Sequence, residues 1–235
     1  MRVVLFGATG MVGQGVLREC VRDAGVTEVL SVVRKPGATP SRVGDTDVAA
    51  SGKVRELVAP DFFDFSGVEY EFAGFDACFF AIGVSTFAVK AEEYPKITRD
   101  IPVAAARSLV RANPDMTMVF VSAHGADETE TSSAMWKRVK GETENEMLRA
   151  GFARAFVLRP LGIVPMHGIQ SRTGLYRAVY GMMRPLLPAL LRSLPRYVTS
   201  TEGLGRAMIA IARNGYPKQR LEAADISAVA RDASA

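Results

Sequence analysis

Cysteine and histidine are scarce, two of each in 235 residues. Cys20 falls in a stretch with helical patterning and Cys78 in a continuous apolar run. They form no CxxC pair and have no histidine at ligand spacing, so both read as reduced core residues. That excludes a disulfide framework, and no pair of histidines is spaced to hold a metal. Long apolar runs are also missing. The longest candidate, residues 180–191, is interrupted by Arg184, Pro185 and Pro188, too short and broken to span a membrane. Basic residues barely exceed acidic ones, 29 against 25, and no segment interleaves them with aromatics. Nucleic acid is therefore not an expected partner, and a small-molecule substrate is. Arg2 leads directly into a strand-like run, so no signal peptide is expected and a cytoplasmic location is. At 48% hydrophobic and 23% charged, the chain has the makeup of one globular domain over residues 1–235.

What is present is concentrated at the start, RVVLFGATGMVGQGV. Val3, Val4, Leu5 and Phe6 form a continuous apolar run, as in a strand buried on both faces of a parallel sheet. Gly7 ends it, and Met11, Val12, Val16 and Leu17 then fall at helical spacing. A strand, a glycine turn and a helix N-terminus aim unpaired N–H groups and the positive end of a helix dipole at one point, which suits an anionic diphosphate. Gly7, Gly10 and Gly13 would allow the turn, the approach of phosphate and close helix packing. Together with Thr9, Met11 and Val12 they are the expected cofactor contacts.

Along the chain, strand patterns at 28–33, 53–58, 75–82, 116–122 and 152–158 alternate with helical ones at 11–24, 92–112 and 132–150. This predicts a doubly wound α/β fold around a parallel sheet. Residues 39–52 are polar and weakly patterned, so a loop or short element is expected in place of a crossover helix. Pro102 should bend its helix. Arg34 and Lys35 end the second strand, where an acidic residue would accept the adenosine ribose hydroxyls. Two cations there favour NADP over NAD. Asp61, in the loop after the third strand, is a cofactor candidate or a turn cap. Ala81, Ile82 and Gly83 end the fourth strand at the carboxyl edge, where such a fold places its cofactor crevice. Residues 161–200 are rich in proline, leucine and arginine and suggest a small helical C-terminal lobe, either closing over a substrate or packing as a homodimer contact. Thr201 is the expected cap of a helix over 202–212, and the tail after Pro217 is expected to add at most a short strand and a fraying end.

The ordered set GATGMVG (7–13), VVRKPG (32–37), FFAIG (79–83), VSAHGA (121–126), WKRVKGETE (136–144) and LRPLGI (158–163) resembles the short-chain dehydrogenase/reductase superfamily, particularly its atypical Rossmann-fold members of the epimerase/dehydratase and nitrogen-metabolite-repressor type. The resemblance implies that Ser122 polarises a substrate oxygen, that Lys140 is the lysine of a Tyr-x-x-x-Lys pair, and that Arg159 and Pro160 help to position the nicotinamide. Trp136 stands where the tyrosine belongs. An indole N–H cannot pass a proton at any working pH, so the proton must come from another group. His124 is a candidate because imidazole titrates near neutrality; Tyr94, Tyr176 and Tyr180 are further phenols, and His167 is a weaker choice. The expected activity is NADP-dependent oxidoreduction of a small, partly apolar carbonyl or alcohol. A non-catalytic NADP-binding redox sensor or scaffold and an epimerase/dehydratase are the alternatives.

Overall fold

The computed structural model describes residues 1–86, 88–170 and 197–233. Its centre is a seven-stranded sheet in the order β11-β8-β7-β6-β1-β2-β5, with every neighbouring pair parallel. The strands are β1 (Arg2–Phe6), β2 (Glu28–Val33), β5 (Val54–Val58), β6 (Ala77–Phe80), β7 (Thr117–Val121), β8 (Arg154–Arg159) and β11 (Arg220–Glu222). After β5 the chain crosses back over β1 to place β6 on its other side. This makes β1/β6 the switch point, where two neighbouring strand ends send their loops in opposite directions and open a crevice.

Each face of the sheet carries its own core. Val3, Leu5, Phe79 and Val119 pack with α1 (Met11–Arg22) and α5 (Thr201–Asn214) on one side. Val4, Phe6, Phe80 and Phe120 pack with α3 (Ile101–Ala112) and α4 (Met135–Arg149) on the other. Alternate residues of one strand feed opposite layers, which is why β1 and β6 read as unbroken apolar runs.

The crossover between β2 and β5 is an antiparallel hairpin, β3 (Arg42–Val43) and β4 (Thr46–Asp47), and not a helix. Arg18 on α1 holds it through both Asp45 oxygens, at 2.9 and 3.1 Å. Pro102 does not act as a bend in mid-helix. The chain runs from a short α2 (Glu93–Pro95) through one wide π turn, Lys96–Asp100, and Pro102 falls in the first turn of α3, where a missing N–H costs little. The Thr98 carbonyl, which a residue with an N–H at 102 would have engaged, accepts the Thr143 hydroxyl of α4 at 3.2 Å.

Three differences arise near the C-terminal end. Ser200, and not Thr201, caps α5, its Oγ accepting the Gly203 N–H at 2.9 Å. Thr201 is fully buried and its hydroxyl accepts the Met166 N–H. The tail does not fray after a short strand, because β11 joins the sheet and α6 (Ala223–Asp232) follows it, started by a reciprocal cap between Glu222 and Asp225. Of the helical lobe expected over 161–200, residues 171–196, with Tyr176 and Tyr180, lie outside the described residues. Its described flanks are strands: β9 (Gly162–Val164) pairs in parallel with β10 (Val198–Ser200), the β-branched Ile163, Val164, Val198 and Thr199 suiting that backbone.

Candidate functional site

The glycine turn after β1 takes a shape that only glycine permits. Gly7 has φ +91, and a Cβ on it would lie 2.7 Å from the Ala81 carbonyl carbon, while Ala81 N–H donates to Phe6 O at 2.9 Å. The turn and the end of β6 are therefore pressed together. At Gly13 a Cβ would lie 1.9 Å from Gly7 O, so the first turn of α1 rests directly on the glycine loop. Gly10 is the N-cap of α1, no side chain caps the helix, and its first turn holds no acidic residue. The N–H groups of Met11, Val12 and Gly13 thus have the positive helix end to themselves, beside Thr9, whose carbonyl accepts the Gln14 amide. This cradle fits a diphosphate. Ala81 and the Ile82 N–H abut Gly7 directly, while Gly83 has open space around its Cα.

Arg34 and Lys35 are exposed just past β2. The Arg34 guanidinium lies 5.9 Å from the centre of the Phe62 ring, and neither cation has an ion pair among the described residues. Asp61 is exposed and its Oδ1 accepts the Phe63 N–H at 2.8 Å, so its visible task is to hold a turn.

Helix α4 supplies the other side. It begins at the carboxyl edge of the sheet and runs back along it, so Trp136, Lys140 and Glu144 follow one another on one face at about 6 Å intervals. Glu144 is fully buried and accepts the Ser122 hydroxyl at 2.5 Å. Ser122 directly follows β7, which places Lys140 one turn nearer the crevice and Trp136 two. The Trp136 ring reaches the loop after β7, its Cη2 3.5 Å from where a Gly125 Cβ would be.

Lys140 is half-buried at the surface, with its ammonium set deep among protein atoms, and has no hydrogen bond or ion pair among the described residues. Burial pushes its pKa down to about 8, partly opposed by Glu144. It is therefore a cation near neutrality and a titrating group just above it. Turnover that needs the ammonium should fall as pH rises through about 8, and Lys140→Met should remove that step; a pH–rate profile of both proteins checks this.

Ser122 and His124 are both engaged. The Ser122 proton goes to Glu144, so its oxygen is left to act only as an acceptor. His124 is exposed, with Nδ1 3.0 Å from Glu222 Oε2 and its backbone N–H on Pro160 O at 3.0 Å. These contacts tie it to the β8/β11 end of the sheet. Tyr94 is enclosed, 2% exposed, and burial pushes its phenol pKa up, so it does not reach the crevice. His167 pairs with Glu202 at 2.7 Å, on the α5 side. Among the described residues no group of His, Cys, Asp and Glu could hold a metal ion.

Sequence reasoning missed the ionic cluster behind Ser122. Arg159 donates Nε to both Glu144 oxygens at 3.0 Å and Nη2 to one at 2.5 Å, while Nη1 reaches Glu222 at 3.3 Å. Arg220 bridges Glu128 at 3.2 Å and Glu144 at 3.4 Å. Burial pulls Arg159 down, but Glu144 and Glu222 outweigh it and hold the guanidinium above its usual pKa. The one signal available in sequence was the four-residue step from Lys140 to Glu144.

No family model matches this chain. It is 28% identical over 162 residues to Protein FMP52-1, mitochondrial, of Scheffersomyces stipitis, covering 68% of this chain and 66% of that one. It is 29% identical over 160 residues to Protein fmp52-1, mitochondrial, of Aspergillus terreus, covering 67% and 65%. The match thus spans just under two thirds of these relatives' length. Among solved structures, WbmF of Bordetella bronchiseptica with NAD+ superposes at TM-score 0.66, 13% identity, over 99% of this chain and 77% of that one. The dTDP-glucose 4,6-dehydratase DesIV of Streptomyces venezuelae with NAD and TYD gives 0.61 at 14%, over 99% and 80%. Yeast methylglyoxal/isovaleraldehyde reductase Gre2 with NADPH gives 0.65 at 12%, over 94% and 77%. The chain shares the Rossmann fold of these three solved proteins. WbmF and DesIV were solved with NAD and Gre2 with NADPH. The cytoplasmic location expected from the sequence is corrected by the relatives, which are named as mitochondrial proteins. Among the described residues no helix is long and apolar enough to cross a membrane.

Proposed function

We propose that this protein is an NADP-dependent oxidoreductase acting on a small, partly apolar carbonyl or alcohol. The observation that carries the reading is the uncapped, acid-free N-terminus of α1 pressed against the glycine turn, with two exposed cations at the end of β2. Residues 7–13 would hold the diphosphate, Arg34 and Lys35 the 2′-phosphate, and Lys140 the nicotinamide ribose. Ala81, Ile82, Gly83 and Pro160 would line the crevice.

When bound, the nicotinamide supplies or accepts the hydride. The chain's own residues must hold the substrate, keep water out and carry one proton at the substrate oxygen. Trp136 offers an apolar wall beside Gly125 and no proton. Lys140, unpaired and titrating at about 8, is the proton carrier best placed on α4. His124 is the second, its Nε2 having no partner among the described residues. Ser122, its proton given to Glu144, acts in this reading as a positioning residue and as an acceptor towards substrate.

A second reading is favoured by two observations, the indole at position 136 and the engaged Ser122 hydroxyl: an NADP-binding sensor or scaffold that does not turn over. Stopped-flow absorbance of reduced nicotinamide across a panel of small aldehydes, ketones and alcohols tests the first reading. The oxidoreductase should oxidise NADPH with at least one carbonyl, and Trp136→Tyr should raise that rate roughly ten-fold or more by restoring a phenol. Silence of both proteins across the panel would favour the sensor.

A further inference from the structure

We infer that Glu56 sets the preference between phosphorylated and unphosphorylated cofactor, as a positioning residue that shapes the loop carrying Arg34 and Lys35. This rests on the reading of those two cations given above.

Glu56 lies in the middle of the edge strand β5, opposite Ser31 of β2. Its carboxylate leans over the end of β2 and grips the returning loop. Oε2 accepts the Gly37 N–H at 2.7 Å and Oε1 the Thr39 N–H at 2.5 Å. The Thr39 hydroxyl donates to Ser31 Oγ at 2.8 Å, which ties the far end of the loop back to the strand. Burial pushes the Glu56 pKa up, but the bonds from Thr39, Gly37 and Ala38 together outweigh it and hold the carboxyl below its usual range. It is therefore ionised throughout the neutral range, with its oxygens occupied.

The consequence is a loop closed from inside. Gly37, at φ +68, turns the chain immediately after the two cations, and Glu56 fixes the turn on its far side. The carboxylate takes the Gly37 and Thr39 N–H groups, so the path of the loop, and with it the direction in which Arg34 and Lys35 leave the backbone, is set from β5. Arg34 is steadied over Phe62. Both cations project outward from a backbone whose shape depends on one acid two strands from the chain's first glycine turn. The ligand group recognised is a phosphate monoester on the adenosine ribose, where charge-assisted bonds from a guanidinium and an ammonium need the two donors to converge.

The test is calorimetric titration of the full chain with NADPH and with NADH, for the wild type, Glu56→Gln and Glu56→Ala. Alanine removes the anchor that fixes the loop carrying Arg34 and Lys35, so the two donors no longer converge, and the ratio of NADPH to NADH affinity should fall roughly ten-fold, with NADH affinity held within about two-fold. Glutamine keeps one accepting oxygen and should fall between, and retained NADH binding shows that each variant is folded. A ratio unchanged or raised in Glu56→Ala overturns the inference, as does an equal loss for both cofactors. If the wild type shows no preference for NADPH, the reading of Arg34 and Lys35 fails first and this inference with it. If the preference is there and survives Glu56→Ala, only the role of Glu56 fails.

Discussion

Replacing Gly13 by alanine should abolish binding of the nicotinamide cofactor. The added methyl would lie 1.9 Å from Gly7 O, 2.4 Å from Gly7 C and 2.9 Å from Ala8 N. All three are backbone atoms, so no side chain can turn aside. Either α1 must lift from the glycine loop or the loop must swing away from Ala81, and each movement opens the cradle in which phosphate would sit. Overpacking of this kind costs about 1–3 kcal/mol or more, which for a chain of this size lowers the melting temperature by roughly 5 °C. Titration with NADPH and a thermal melt check it together. Wild-type affinity in a folded Gly13→Ala protein would contradict the packing described for this turn.

Glu144→Ala should be the most destabilising single change in the polar interior. Glu144 is fully buried, accepts the Ser122 hydroxyl and takes three hydrogen bonds from Arg159, whose side chain is 11% exposed. Among the described residues, truncation leaves that guanidinium paired with Glu128 and Glu222, whose side chains are about half exposed. Removing one partner of a buried ion pair costs about 3–5 kcal/mol, because the remaining charge keeps its desolvation penalty. Urea denaturation of the wild type and the variant measures it, and a loss under about 1 kcal/mol would mean that water or another carboxylate compensates Arg159. The same change removes the charge that holds the Lys140 pKa up, so its ammonium should titrate below about 8.

What could be read in advance was set by short-range chemistry. Val3–Phe6 followed by Gly7 describes a doubly buried strand and a glycine turn without help from the rest of the chain, and the structure has both. Trp136 and Lys140 could be placed on one face because a helix repeats at a known interval. The polar stretch over 39–52 was legible as a missing crossover helix, though nothing local announced that Asp45 would pair with Arg18. What escaped was assembled from distant positions. Ser122, Glu128, Glu144, Arg159, Arg220 and Glu222 meet only because the ends of β7, β8 and β11 lie beside the body of α4, so Ser122 looked free in a sequence and is hydrogen-bonded in the fold. The start of α6 was missed for a related reason. Glutamate is an uncommon N-cap, and its reciprocal bond with Asp225 depends on β11 delivering the chain at the right angle. Ser200 and Thr201 are both good caps by type; burial of Thr201 against α1 decides between them.

The central claim is that the turn at residues 7–13 and the cations after β2 together bind a phosphorylated dinucleotide. Isothermal titration of the purified chain with NADPH and NADH addresses it directly. The account predicts one site per chain and tighter binding of NADPH than of NADH. No heat of binding with either would contradict the catalytic and the sensor readings alike.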